Sequence, residues 1–251
     1  MNKEKSKTFT RQDNLYGFPY HYLPQKINDK VIKPFRIHHW LYNYVILIDF
    51  LIKKIMENNH DKFLDFGCGD GRFINDFKKE TKSDLTGYEI SESASLLFKA
   101  LNPNTKLINS IDELGEYKNF FDAINFSEVI EHIPDDKVKE NIDIIYEILK
   151  KDGFLTVTAP NENNPVQKKH YRHYTFESLL KNFDSSKFEV VEKNFLFRSS
   201  IFQTIMRKML FNRFFIINSN FILRIFYYLS IRFLNSDEKN CSKIFILLKK
   251  K

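Results

Sequence analysis

The stretch Phe63–Phe73 constrains the fold of this chain most, because it joins a short apolar strand, a glycine-rich turn and the start of a helix. Residues 62–66 are largely apolar and bounded by polar residues, as expected for an inner strand of a parallel sheet. Glycine then recurs at every second position from Gly67 to Gly71. Glycines allow a sharp turn and close approach of a ligand, and the following helix directs free N–H groups into the same crevice. Open α/β sheets bind nucleotide-like ligands in such crevices, beyond the carboxyl ends of their strands.

The glycine pattern argues against a dinucleotide. A G-x-G-x-x-G fingerprint needs glycine at the position held by Arg72. Asp65, inside the strand, can accept hydrogen bonds from the amides of the turn or meet a cationic group, which suits a cofactor that carries an amino acid. A second apolar run, residues 84–90, includes Glu89 near its end. An acid at that place can accept both hydroxyls of a ribose.

Together with a later Phe121-Asp-Ala-Ile124 strand, these residues give the chain a pattern that resembles the class I S-adenosylmethionine-dependent methyltransferases over about residues 60–195. The shared motifs are a D-x-G-x-G-x-G turn, an acid that ends strand two and an F-D-x-[IV] strand. The resemblance implies an α/β, Rossmann-like, mostly parallel seven-stranded sheet with helices on both faces, an antiparallel last strand beside strand six and a helical insertion before that strand. It also implies S-adenosyl-L-methionine as cofactor. The candidate cofactor-binding residues are Asp65, Gly67, Cys68, Gly69, Glu89, Ser110 and Ser127.

Length, charge and cysteine content suit one α/β domain with elaborations. The 251 residues carry a formal net charge of +7. Residues 187–251 hold 13 Lys and Arg against 4 Asp and Glu, so the basic excess lies in the last quarter of the chain. Cys68 and Cys241 provide neither a disulfide framework nor zinc-site spacing. The N-terminus lacks the apolar core of a signal peptide, so we expect a cytoplasmic protein.

Alternating strand and helix patterns predict four regions. These are an aromatic N-terminal segment with a helix (1–58), the cofactor-binding core (59–198), a basic and aromatic helical insertion (199–240), and the last strand with a basic tail (241–251). Within the core we predict strands at 62–66, 84–90, 105–109, 120–126, 154–159 and 188–197, and helices at 72–80, 92–101, 135–151 and 175–182.

The residues after the fourth predicted strand suggest a metal site. Glu128, Glu131 and His132 are spaced i, i+3 and i+4, so a helical turn would present all three on one face. Two carboxylates and an imidazole suit a hard divalent cation, magnesium (Mg²⁺) or zinc. This E-x-x-E-H pattern resembles the motif of ubiquinone-biosynthesis O-methyltransferases and of small-RNA 3′-end 2′-O-methyltransferases, in which it implies a bound divalent metal. The alternative is that Glu131 and His132 only orient the loop.

A second histidine pair follows the fifth predicted strand, in the sequence His170-Tyr-Arg-His173. The loop leaves the sheet at its carboxyl end, so either histidine can serve as a general base for a hydroxyl or as a further metal ligand. With His132, these two are the candidate catalytic residues. The alternative is that His173 and Tyr174 cap and pack the next helix.

The segment 199–235 contains five basic residues, nine aromatic residues and no acid. This composition suits a helical pair resting on an anionic membrane surface, a lid over an apolar substrate, or a structural cap on the sheet edge. Its longest charge-free run, residues 214–223, is too short to span a bilayer. RNA is a less favoured partner, because the aromatic residues are mixed with Ile and Leu as in a core.

The sequence therefore predicts an O-methyltransferase that acts on a small-molecule, sugar or lipid-linked acceptor, with the inner face of the membrane as a second expected location. The first alternative is a metal-dependent 2′-O-methyltransferase of RNA 3′ ends. Two features oppose it: the stretch after His173 lacks that family's F-E-W run, and residues 1–186 are slightly acidic. The second alternative is a module that binds the cofactor without turnover.

Overall fold

The computed structural model describes residues 25–27, 31–33, 39–198 and 219–251. A short antiparallel pair, β1 (Gln25–Ile27) and β2 (Val31–Lys33), precedes an eight-stranded sheet. The strands of that sheet are β3 (Lys62–Phe66), β4 (Asp84–Tyr88), β5 (Lys106–Ile108), β6 (Phe121–Ser127), β7 (Leu149–Pro160), β8 (Phe188–Leu196), β9 (Asn235–Ser236) and β10 (Lys243–Lys250). The helices are α1 (His39–Met56), α2 (Arg72–Phe77), α3 (Glu92–Leu101), α4 (Ile111–Gly115), α5 (Asp135–Ile148), α6 (Phe176–Leu180) and α7 (Asn220–Ile231), with a 3-10 turn at Ile130–His132.

The strand order is β5-β4-β3-β6-β7-β10-β8-β9. The first five strands of this order are parallel, and β10 runs antiparallel between β7 and β8. The predicted fold class, with an antiparallel last strand beside strand six, is confirmed. The two-residue strand β9, which pairs with the end of β8, adds an eighth strand that the sequence did not predict.

Both faces of the sheet are covered, as the apolar run in β3 predicts. Phe63 and Leu64 are both fully buried, yet they belong to different apolar clusters, because successive side chains of a strand point to opposite faces. One cluster packs Phe63 against helices α1 and α2, and the other packs Leu64 against α5. The order of strands diverges at β3, whose neighbours are β4 and β6, so the crevice predicted after the glycine turn lies at this switch point.

The predicted helix 135–151 ends three residues early, at Ile148. Leu149 is fully buried and pairs with Phe121 of β6, so it begins β7 instead. The register then shifts, and Asp152 adopts a left-handed φ of 63° before the main part of the strand. Nζ of Lys250 donates 2.6 Å hydrogen bonds to the carbonyls of Tyr146 and Leu149, where the helix leaves carbonyls without helical partners.

Residues 1–24, 28–30 and 34–38 of the aromatic N-terminal segment and residues 199–218 of the predicted insertion lie outside the described residues. The described part of the insertion contains α7 and β9. In the part of the chain that the structure describes, no helix has the length and apolar character needed to cross a bilayer.

Candidate active site

The glycine turn joins β3 to α2 in a conformation that glycine favours. Its three glycines have φ values of 78°, 55° and 78°. The amides of Gly67 and Cys68 donate to the carbonyl of Tyr88, at 2.8 and 3.0 Å, which ties the turn to the end of β4. A Cβ at Gly67 would lie 2.5 Å from Cγ2 of Val129, in the segment that follows β6. The turn and that segment are therefore in close contact.

Glu89 connects the glycine turn to the start of α3. Its carboxylate accepts hydrogen bonds from the amides of Gly69 at 2.9 Å and of Ser91 at 2.8 Å. The amide of Asn109 donates to the carbonyl of Glu89 at 2.8 Å, a contact that the sequence did not predict. The acid that the resemblance places beside the ribose is thus held at the crevice by backbone amides from two elements.

Asp65 lies in a buried polar row that crosses three strands. Asp65, Asn125 and Thr156 are neighbours in register on β3, β6 and β7, and all three are buried. Nδ2 of Asn125 donates to Asp65 at 2.8 Å, and Oδ1 of Asn125 accepts from Thr156 at 2.9 Å. Burial raises the pKa of Asp65 to about 7, against the effect of the Asn125 hydrogen bond.

The expectation that Asp65 accepts from the turn amides is not met for Gly67, Cys68 and Gly69. Their amides donate to Tyr88 and Glu89 instead. The partner of Asp65 is the side chain of Asn125, a single amide within an apolar strand. Asn125 could have been singled out from the sequence, because a polar residue in a buried strand needs a hydrogen-bond partner.

The structure places the other cofactor-binding candidates at the carboxyl side of the sheet, and their role stays a prediction. Cys68 is buried, and burial raises the pKa of its thiol well above the usual range, so it is not an activated nucleophile. Ser110 caps α4 by accepting a hydrogen bond from the amide of Asp112 at 3.2 Å. The hydroxyls of Ser127 and Thr158 lie 2.6 Å apart.

The three candidate catalytic histidines form one cluster. His132 comes from the 3-10 turn after β6, and His170 and His173 come from the loop between β7 and α6. The ring centroids of His132 and His170 are 4.7 Å apart, and those of His170 and His173 are 5.0 Å apart. The sequence places His132 in one motif and His170 and His173 in another, as candidate bases or metal ligands, and the fold brings all three together.

Hydrogen bonds to the backbone define which ring nitrogens carry protons. Nδ1 of His132 lies 3.1 Å from the carbonyl of Lys169, and Nδ1 of His173 lies 2.9 Å from that of Asn164. A carbonyl only accepts, so both Nδ1 atoms are protonated and Nε2 of each neutral ring has a lone pair. Nε2 of His173 then accepts from Nδ1 of His170, 2.8 Å away, which leaves a lone pair on Nε2 of His170.

Burial keeps the rings of His132 and His170 neutral. It lowers the pKa of His132 to about 4 and that of His170 to about 3, with neighbouring cationic groups adding to the shift. At neutral pH both rings are therefore unprotonated at Nε2. Each can accept a proton or bind a cation there.

Glu131 completes a set of three convergent side chains. It is 1% exposed, and its Oε2 has no hydrogen-bond partner within the described residues. Burial, followed by the nearby charge of Glu128, raises the pKa of Glu131 to about 8. One ligand atom each from Glu131, His132 and His170 can lie within 4.8 Å of the others. This donor set is suited to a divalent metal.

The prediction that Glu128, Glu131 and His132 share one face of a helical turn is wrong for Glu128. Glu128 has a left-handed φ of 58° and precedes the turn, so the i, i+3 spacing does not apply to it. Its carboxylate accepts from the hydroxyl of Thr158 at 3.1 Å and forms an ion pair with Lys243 at the start of β10. His170 takes its place in the cluster.

Backbone contacts hold the histidine loop against the 3-10 turn. The amide of Tyr171 donates to the carbonyl of Glu131 at 2.8 Å. The guanidinium of Arg172 donates to the carbonyls of Ile130 and Ile133 at 3.1 and 2.6 Å. Arg172 was not singled out from the sequence, although it is the one basic residue between the two histidines.

The alternative role of His173 as a helix cap does not apply. The cap of α6 is Thr175, whose side chain accepts from the amide of Ser178 at 3.0 Å. Tyr174 does pack in the core, as that alternative proposed, and is 3% exposed. His173 instead connects His170 to the backbone.

The sheet order, the glycine turn and the acid after β4 are those of the Rossmann-like α/β class, which binds nucleotide-like ligands at this edge of the sheet. The sequence profile described as "Methyltransferase domain" matches residues 38–195, and the chain belongs to that family. It is a class I S-adenosylmethionine-dependent methyltransferase, which confirms the predicted methyl transfer and the predicted cofactor, while the predicted hydroxyl acceptor stays a prediction.

Similar proteins agree with this fold. An uncharacterised protein of Methanocaldococcus jannaschii is 28% identical over 160 residues, which cover 62% of this chain and 68% of the relative. A SAM-dependent methyltransferase from Archaeoglobus fulgidus matches with a TM-score of 0.56 at 16% identity, covering 81% of this chain and 94% of that one. The N-methyltransferase NodS from Bradyrhizobium japonicum, in complex with S-adenosyl-L-homocysteine, matches with a TM-score of 0.55 at 12% identity, covering 83% and 87%.

Proposed function

We propose that this methyltransferase methylates a hydroxyl group of a small-molecule, sugar or lipid-linked acceptor. The supporting observation is the buried cluster of Glu131, His132 and His170, in which hydrogen bonds hold both imidazoles with a lone pair at Nε2. The segment that leads to this cluster contacts the glycine turn through Val129. A hydroxyl is a weak nucleophile, so its methylation requires a group that removes or withdraws its proton, whereas a neutral amine does not.

S-adenosylmethionine, when bound, supplies the methyl group as part of a sulfonium. The contribution of the chain is to orient the acceptor and receive its proton. Nε2 of His170 is the candidate acceptor of that proton. As the ring becomes positive, its Nδ1–H donates more strongly to His173, whose own Nδ1–H is fixed by the carbonyl of Asn164. With a pKa of about 3, His170 is unprotonated at neutral pH but only weakly basic.

The second part of the proposal is a divalent metal held by Glu131, His132 and His170. The unpartnered Oε2 of Glu131 fits such a role, because a buried carboxyl oxygen without a partner costs free energy, and a cation would satisfy it and hold the group in its ionised form. Two imidazoles and one carboxylate suit zinc, manganese or iron(II) better than magnesium, which prefers oxygen ligands. Such a metal would occupy Nε2 of His170 and would acidify the acceptor hydroxyl itself, so in the metal-bound enzyme the proton would pass to solvent and not to His170.

The test uses labelled methyl donor and fractionated cell extract. Full-length protein is incubated with small-molecule, lipid and RNA fractions, and both label transfer and S-adenosylhomocysteine are measured. We expect label in the small-molecule or lipid fraction, in base-stable ether linkage. Label confined to RNA would instead support the 3′-end alternative, and label recovered only on nitrogen would refute O-methylation.

The metal is tested separately by elemental analysis and by calorimetric titration of chelator-treated protein with zinc, manganese and magnesium. Glu131→Gln should lose metal affinity. Glu140→Gln, an exposed glutamate on α5, is the matched control and should retain it. Equal metal affinity in both variants, or full activity in excess chelator, would refute the metal while leaving O-methylation open.

A further inference from the structure

Helix α7 exposes an apolar stripe. Phe221, Ile225 and Tyr228 are spaced i, i+4 and i+7, so they share one face, and they are 73%, 43% and 67% exposed. Ile222 beside them is 39% exposed. Single exposed apolar residues are ordinary, but a contiguous row with two aromatic rings marks an interaction surface.

Contacts on its other side fix the helix in this orientation. Tyr227 packs against the apolar cluster that contains α1, and its hydroxyl donates to the carboxylate of Asp49 on that helix. Beyond the helix, the amide of Phe197 donates to the carbonyl of Leu234 at 2.7 Å. The stripe therefore faces outward because the opposite side of α7 is anchored to the core.

Charge identifies the kind of partner. The sequence from 199 to 235 has no acidic residue and contains Arg207, Lys208, Arg213, Arg224 and Arg232. Arg232, at the C-cap of α7, is exposed. A second copy of α7 would bring another Arg232 and no acid of its own to the interface, so like charges would oppose pairing. A specific protein interface buries about 800 Å² per partner, far more than three side chains supply.

We propose that α7 binds an anionic membrane surface, with Phe221, Ile225 and Tyr228 inserted at the boundary between headgroups and acyl chains. A helix with an apolar aromatic face and basic residues nearby binds at this depth without spanning the bilayer. Arg232, at the end of the helix, would lie at the level of the lipid phosphates. This inference concerns where the enzyme works and does not depend on which acceptor it methylates.

Vesicle flotation of the full chain tests the proposal. We expect binding to vesicles of phosphatidylcholine mixed with phosphatidylglycerol, weaker binding at high salt, and little binding to phosphatidylcholine alone. Phe221→Ser combined with Tyr228→Ser should reduce binding on the order of tenfold or more, because the apolar contacts are lost. Arg232→Glu should also reduce it. The matched control is Leu96→Ser, which alters an equally exposed apolar residue (70%) on α3 and should bind like the wild type.

Several outcomes would overturn the proposal. The first is that the wild-type protein does not float with anionic vesicles. The second is that the double variant floats with them as well as the wild type does. A third is a wild-type dimer in sedimentation velocity that becomes monomeric in the double variant, since the stripe would then be a contact between two copies. Unchanged affinity of every variant for S-adenosylhomocysteine shows that the fold is retained.

Discussion

Nδ1 of His170 lies 2.8 Å from Nε2 of His173, and this contact defines which nitrogen of His170 keeps its lone pair. Because Nδ1 of His173 donates to the carbonyl of Asn164, its Nε2 must accept when the ring is neutral. His170 therefore donates from Nδ1 and keeps a lone pair on Nε2. His173 thus fixes the tautomer of His170, the residue that we propose to act on the acceptor.

Replacing His173 by phenylalanine should slow turnover. His173→Phe keeps a ring in place but removes the acceptor that fixes the tautomer of His170, so we expect kcat to fall about 10- to 100-fold. Affinity for S-adenosylhomocysteine should be unchanged, because the glycine turn is untouched. His60→Phe is the matched control, since His60 also bonds a carbonyl through Nδ1, at 2.8 Å, but lies outside the cluster. A His173→Phe enzyme with wild-type kcat would contradict the role of His173 in fixing the tautomer of His170.

Removing the carboxylate of Glu89 should weaken cofactor binding. Glu89→Ala deletes the acceptor of the Gly69 and Ser91 amides and the group expected to bind the ribose, so affinity should fall by about 1–3 kcal/mol. Isothermal titration with S-adenosylhomocysteine measures this. The exposed neighbour Glu92 serves as control, and Glu92→Ala should bind normally. Equal affinities in the two variants would remove Glu89 from the cofactor site.

The raised pKa of Asp65 predicts a pH-dependent stability. Its pKa increases from 3.8 to about 7 on folding, so between these values the folded protein holds a proton that the unfolded chain has released. The contribution of Asp65 to the free energy of unfolding therefore declines as pH rises from 4 to 7, by roughly 4 kcal/mol at most. Asp65→Asn cannot titrate and should gain stability relative to the wild type over this range.

Urea unfolding between pH 5 and 8 measures that difference. The exposed Asp61→Asn is the control and should follow the wild-type curve. A stability difference between Asp65→Asn and wild type that does not change with pH would show that Asp65 is already ionised across this range.

Two glycine-to-alanine changes should differ in their effect on the free energy of unfolding. Gly71 has φ 78°, and an added Cβ would lie 2.4 Å from Nδ2 of Asn102 and 2.5 Å from Cδ2 of Phe98. Gly71→Ala should therefore destabilise the protein by a few kcal/mol and weaken cofactor binding. An added Cβ at Gly115 meets nothing within 4 Å, so Gly115→Ala should be neutral or stabilise helix α4 by up to about 1 kcal/mol. If the urea midpoint of unfolding decreases equally in both variants, the glycine turn has no special requirement for glycine at position 71.

The elements closest to local sequence patterns were predicted best. Strand β3 and helix α3 have the predicted bounds, and the glycine turn lies where its spacing placed it. A strand buried on both faces is apolar over a few consecutive residues, and a turn with left-handed backbone angles contains glycine, so both can be predicted from local sequence. The helix before β7 was predicted too long, because the pairing of Leu149 with Phe121 overrode its helical pattern.

The sequence by itself determined the class of enzyme and its cofactor, and it predicted the cofactor site from the glycine turn and the acid after β4. Gly69 and Glu89 are only 20 residues apart and follow consecutive strands. Only the tertiary structure decided which side chains form the cluster of Glu131, His132 and His170. It paired Glu128 with Lys243, 115 residues away, and placed His170 beside Glu131 and His132. Local spacing cannot reveal such partners, because they meet only after β6, β7 and β10 pair in one sheet.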